Sequence, residues 1–189
     1  MTAHTDAAPQ TARSRQTVQA VAVIVIATAI KLAVLAALDR PWGCGCGQVW
    51  AMPGDPTLNS RTLLDPYTAL HAVTGALLIM MVARVRPDLG LWALLAVVVA
   101  SSTTWEVIEN LPISIRLFAY DASDPLAYHG DSRVNALADT AAAVTGAMLS
   151  RTASPMVVIV LAVVTEIALS LWIQDGFIIA AIRAVRQAA

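Results

Sequence analysis

Five polar side chains stand in stretches of sequence that are otherwise apolar: His71, Glu106, Glu109, Asn135 and Asp139. A charged group at the centre of a membrane helix is penalised by roughly 2.5–3.5 kcal/mol on insertion scales, so such residues need partners, water or a chemical role. Their types are chemically useful together. Trp105-Glu106-Val107-Ile108-Glu109-Asn110 puts two carboxylates three apart, on one helix face, a pair suited to acid–base work. The bland alternative leaves Glu109 and Asn110 at the water interface and bonds Glu106 to a neighbouring helix. Asp131, Asn135 and Asp139 recur every four residues and form one polar stripe on a helix. Either Asp131 or Ser132 is a suitable N-cap for that helix, but capping does not account for the deeper Asp139. His71 adds an imidazole that can carry a proton, ligate a metal or simply pack. One imidazole with several carboxylate and amide oxygens suits Mg, Mn or Zn without choosing among them. The metal candidates are therefore His71, Glu106 and Asp139. No HExxH spacing strengthens the case.

A second constellation is Trp42-Gly43-Cys44-Gly45-Cys46-Gly47. A C-x-C pair can oxidise or contribute to a soft-metal site, and it is equally readable as a glycine-rich turn with unreactive thiols. Lys31 and Glu166 are isolated charges in apolar runs. Both fall somewhat past the midpoint of their runs, so pairing between them is geometrically possible.

The elements that must position these residues follow from hydropathy. The 189-residue chain is 58% hydrophobic and only 13% charged, about half the charged fraction of soluble domains, so the expected class is an all-α integral membrane bundle. A net charge of −1 offers no basic surface for nucleic acid. About five spans are expected: Thr17–Leu38, Tyr67–Ala83, Leu89–Leu111, Val134–Ser150 and Met156–Ile173. Phe177–Val185, too short to span, reads as an interfacial helix. Residues 1–16 read as a disordered tail before a single helical membrane domain, 17–189. The first apolar run, about 22 residues, exceeds a signal-peptide core and reads as an uncleaved anchor.

With five spans, the two long loops, Asp39–Pro66 and Pro112–Arg133, share one side, here side A. The short loops share side B. His71 lies one turn into its span from side A, Glu106 and Glu109 in the last turns of a span arriving there, and Asn135 and Asp139 in the first turns of one leaving it. All five thus lie at similar depth in one leaflet, which predicts a shared site. Side A would hold Arg40, Arg61, Arg116, Arg133, Arg183 and Arg186, and side B Arg13, Arg15, Arg84, Arg86 and Arg151, so the charge bias is nearly even. The side-B arginines flank short loops closely, which favours a cytoplasmic N-terminus in a cell (inner) membrane.

Cys44-x-Cys46-Gly47 with Trp50, Asp65-x-Tyr67 leading to His71 and Gly75, Trp105-Glu106-x-x-Glu109-Asn110, and Gly130-Asp131-Ser132-x-x-Asn135-x-x-x-Asp139 together resemble an uncharacterised family of bacterial multi-pass inner-membrane proteins common in alphaproteobacteria. The resemblance covers about Pro41 to Ile179. Related chains often carry a second histidine where this one has Thr74, which weakens a two-histidine metal site here. A looser similarity to VanZ-like membrane proteins, at His71, Glu106 or Glu109, and Asp139 with Gly146, implies an envelope-related role.

Three functions fit these residues. An enzyme at the leaflet boundary would act on a lipid or envelope precursor. It would use Glu106 or Glu109 as base, with His71 and Asp139 positioning a divalent metal or a head group, and Asn135, Asp131, Asn110 and Tyr67 binding substrate. An accessory subunit would use the polar residues only to specify packing. A proton-coupled or metal-ion carrier is the third, although the site is off-centre and no internal repeat is visible. Composition leaves the oligomeric state open.

Overall fold

A computed structural model describes residues 7–118 and 125–188. It is all-helical: α1 Ala7–Ala37, α2 Thr68–Val85, α3 Leu91–Glu109, α4 Pro112–Phe118, α5 Arg133–Ser150, α6 Pro155–Trp172 and α7 Phe177–Ala188. Among the described residues, four helices are long and apolar enough to cross a membrane: Arg13–Ala37 within α1, and the whole of α2, α3 and α6. The expected fourth span forms as α5, but it does not reach the apolarity of the other four. Asn135, Asp139 and Thr140 on its buried face are the reason. It is an inner helix, packed against α2 and α3.

Other boundaries moved for simple reasons. Residues 7–16 of the expected tail belong to α1, because a helix already nucleated by an apolar run extends cheaply through Ala, Gln and Arg. The remainder of that tail lies outside the described residues. Pro112 does end α3, but it also opens the short α4, a position where its missing N–H costs nothing. Ser132 and Ser154 cap α5 and α6 by accepting from the amides of Asn135 and Val157.

Small residues set the packing. A side chain at Gly75 would meet the Ala143 carbonyl oxygen at 2.0 Å, and one at Gly146 would meet that of Ala72 at 1.9 Å. Backbones therefore touch where α2 crosses α5, the approach that glycine and alanine permit within membranes. The two helices leave the same end of the bundle, so Gly75 faces Ala143 one turn beyond the level at which His71 faces Asp139. Towards side B the interior becomes wholly apolar: Ile79, Leu94, Leu95, Val98, Ala143 and Ala147 form one buried cluster. The outer faces of α1 and α6 stay exposed and apolar, as lipid-facing surfaces do; Val163, Val164 and Ile167 on α6 are examples.

At side A the long loops are knitted together. Ser132 N–H donates to the Ser60 carbonyl at 2.8 Å, Arg133 N–H to Pro41 at 2.9 Å and Val134 N–H to Trp42 at 3.0 Å. The first loop thereby satisfies orphan donors at the start of α5. Asn59 donates to the carbonyls of Pro125 and Ala127, and Arg40 to those of Asn110 and His129. The Arg133 guanidinium sits 5.0 Å from the centre of the Trp42 ring. Trp50 and Leu64 form an isolated bridge, and Cys44 is joined to Cys46 by a disulfide.

Candidate functional site

Three helices converge as their polarity pattern predicts. His71 Nδ1 lies 3.6 Å from Glu106 Oε1, and His71 Nε2 lies 3.8 Å from Asp139 Oδ2. One imidazole nitrogen and one oxygen from each carboxylate lie within 4.8 Å of one another. These separations are too long for direct hydrogen bonds. Two ligands at about 2.0–2.2 Å from a tetrahedral ion are held roughly 3.3–3.6 Å apart; the His71–Glu106 separation matches this, and the His71–Asp139 separation, on the other ring nitrogen, is longer. An ion on either side of the ring would take one nitrogen and leave the other facing a carboxylate, the arrangement that fixes a ligating histidine. Glu106 Oε1, Asp139 Oδ1 and Asn135 Oδ1 are buried and make no hydrogen bond. Asn135 donates to Asp65 Oδ2 at 3.5 Å.

Lys31 belongs to this neighbourhood, not to Glu166. Fully buried, it donates to the Ala136 carbonyl at 2.7 Å and to Thr140 Oγ1 at 2.5 Å, within electrostatic reach of Glu106 and Asp139. Thr140 Oγ1 also pairs with Ser102 Oγ at 2.8 Å. Glu166 instead accepts from the amides of Phe177 and Ile178 and caps α7. Two isolated charges at similar depth offered a pairing; helix rotation, which hydropathy does not fix, sends them to different neighbours.

Above the cluster lies a clamp. Asp131 N–H donates to Asn110 Oδ1 at 2.9 Å, and the Asn110 amide returns a short hydrogen bond to Asp131 Oδ2. Tyr128 OH donates to the same oxygen at 2.9 Å, and Asn110 also donates to the Glu106 carbonyl. Burial raises the Asp131 carboxyl above its usual range, opposed by the bonds from Asn110 and Tyr128. Burial, then the Asp131 charge, raises the Tyr128 phenol. Asn110 is thus occupied in tying the end of α3 to the residues just before α5. Ser132, not Asp131, is the N-cap of α5. Asp65 plays the matching part at α2: its Oδ1 accepts from the amides of Tyr67 and Thr68. Burial first, and then Asp131, push its pKa up to about 6.

A cavity of about 300 Å³ opens beside the cluster. His71, Glu109, Asp131 and Asp139 supply a polar wall. Trp105, Phe177 and the alanines of α7 supply an apolar wall, with Trp105 and Phe177 meeting edge to face at 6.2 Å. Tyr67 also lines it and donates to Asp175 Oδ2 at 2.9 Å, tying α2 to the start of α7. Glu109 is half-buried and hydrogen-bonded to Trp105. Glu106 and Asn135 stand behind the wall. Glu106, Glu109 and Asp131 form a second group of carboxylates within 4.8 Å. Cys44 and Cys46 are not among the lining residues. The sequence assigned no site role to three contributors. Asp65 was readable as an Asx residue just before a helix, Lys31 was expected only as a possible partner of Glu166, and Ser60 carried no local signal. Ser60 lines the cavity with φ +54° and donates to Asp65 at 3.5 Å.

No solved structure matches the chain. A "UPF0314 protein" of Sphingopyxis alaskensis is 30% identical over 120 residues, 62% of this chain and 63% of the relative. Relatives of the same description from Rhizobium meliloti and Rhizobium johnstonii are 31% and 33% identical, each over 78% of this chain and 76% of theirs. The chain thus spans rather under two thirds of the first relative and about three quarters of the others. These organisms are alphaproteobacteria, in keeping with the resemblance carried by the motifs. Residues 35–187, which contain every element of the site except Lys31, match the family described as a protein of unknown function (DUF2585), and the chain belongs to that family.

Proposed function

We propose that the chain is a membrane-embedded, divalent-metal-dependent enzyme acting in one leaflet on a lipid or lipid-linked envelope precursor. The observation that carries this reading is the meeting of His71, Glu106 and Asp139 from three helices, with buried unpaired oxygens on both carboxylates, beside a cavity that is polar on one wall and apolar on the other. A bound divalent ion would polarise a phosphoryl or carbonyl oxygen of the substrate. Glu109, half-buried on the cavity wall, is placed to take a proton as general base, and its bond from Trp105 orients it. Asn135 and Asp65 hold the first turns of α5 and α2, so they position Asp139 and His71 without touching substrate. The apolar wall of Trp105, Phe177 and the α7 alanines suits a hydrocarbon chain.

The disulfide on side A supports placing that side in an oxidising compartment. The N-terminus then faces the cytoplasm, and the membrane is the inner one. The looser VanZ-like similarity adds only the suggestion of an envelope role.

Metal analysis of the purified protein tests the reading. Wild type should carry about one divalent ion per chain, and His71→Ala and Asp139→Ala should lose it. Glu109→Gln should keep the ion and fail to complement a deletion strain. Full complementation by His71→Ala, Glu106→Ala and Asp139→Ala would sink the enzyme reading. The occupation of Lys31, Asn110 and Asp131 in packing favours the accessory-subunit alternative, which predicts a stable larger assembly on mild purification that these substitutions disrupt.

A further inference from the structure

We propose that the Cys44–Cys46 disulfide is a thiol–disulfide exchange site, separate from the cavity, at which Cys46 is the sulfur attacked by a partner thiol. The disulfide spans a sequence separation of 2. Stabilisation by a cross-link grows with the length of the loop it closes, so a ring this small staples little. It joins no element to another; the loop is held at the start of α5 by the carbonyls of Pro41 and Trp42 and by the Trp42 ring under Arg133. The sulfurs have no structural task, yet they are accessible. Cys46 is exposed and Cys44 half-buried. Gly45 and Gly47, at φ +64° and +72°, turn the chain so that the two thiols meet, and nothing lies within 4 Å of where a side chain would stand at either.

The two sulfurs are not equivalent. The Cys46 N–H donates to Cys44 Sγ at 3.2 Å. An incoming thiolate would form a bond to exposed Cys46 Sγ. The Cys44–Cys46 bond would break, with its electron pair passing to Cys44 Sγ. There the Cys46 N–H offsets the new negative charge, and a stabilised thiolate leaves faster. With a dithiol partner, the second partner thiolate attacks its own sulfur in the mixed disulfide and releases Cys46 as thiolate. The partner departs as a disulfide, having lost two electrons and two protons. The pair gains the two electrons and takes two protons from solvent.

The test uses the full chain purified in detergent without reductant. Brief treatment with reduced glutathione, acid quenching and peptide mass mapping should place glutathione on Cys46 over Cys44 by about tenfold or more. Dithiothreitol should expose two maleimide-reactive thiols while the melting curve stays native. Reduction only on unfolding, glutathione on Cys44 equally or preferentially, or isolation with both thiols free would overturn the proposal. So would a large loss of thermal stability in Cys44→Ser/Cys46→Ser, because the disulfide would then be a staple.

Discussion

The side-B and side-A halves of the bundle share the same helices and differ in almost everything else. Towards side B, α2, α3 and α5 bury apolar residues, with Ile79, Leu94, Leu95, Val98, Ala143 and Ala147 packed as one cluster. Towards side A, the next turns of the same helices bury Glu106, Asn135 and Asp139 and half-bury His71, several with unpaired oxygens. In lipid both are packed, but only one is satisfied. The side-B half holds the helices in register, and its firmness lets the side-A half keep polar groups whose needs the fold itself does not meet. Proteins commonly concentrate such unmet groups where function requires them.

The largest blow to this division should come at the crossing that joins the halves. Gly75→Leu forces a side chain onto the Ala143 carbonyl, so the folded species should disappear from size-exclusion profiles of detergent extracts. A pH titration separates the halves next. Asp65 has a folded pKa of about 6, above its unfolded value, so the protonated carboxyl favours folding. Its contribution is fully present below pH ~4 and is lost as pH rises through ~6, a change of about 2–3 kcal/mol. Thermal melts should show that decline, and Asp65→Asn, which still caps α2, should flatten it. Asn110→Ala leaves Asp131 buried without its two-way partner and should cost about 2 kcal/mol by the same melts. Val98→Ala in the apolar half should cost about 1–2 kcal/mol, equally at pH 4 and pH 7, without changing metal content. The smallest change in stability, within ~1 kcal/mol, is expected for Asp139→Asn, which removes a buried charge with an unpaired oxygen. Its metal should vanish all the same. A large destabilisation there would mean that the polar half is scaffold after all.

Much of this was legible in the sequence because hydropathy and caps are local. The spans lie close to the predicted limits, Ser132 was one of the two caps offered for α5, and counting spans placed five polar residues at one depth. The structure brings three of them within 4.8 Å. What escaped was long-range. Lys31 reaches Ala136 and Thr140 because of how α1 is rotated, and an isolated lysine in an apolar run gives no hint of that. Asn110 looked like a ligand-binding amide until Asp131, reached across a long loop, occupied both its atoms. The cavity depends on α7 folding back against α4, with Phe177 meeting Trp105, an arrangement set by Glu166 capping α7 and by Gly176 at φ +150°.

The polarity of α5 has a consequence for how the chain enters its membrane. α2 and α3 are apolar enough to partition alone, and α5 is not. During synthesis α2 would wait in the bilayer with its small-residue face open and His71 unmatched. α5 would then be drawn from the translocation channel by that waiting face as well as by lipid. Insertion of α5 and assembly of the His71–Asp139 pair are then one event, and a chain whose α2 lacks Gly75 should fail at the membrane before it fails at folding.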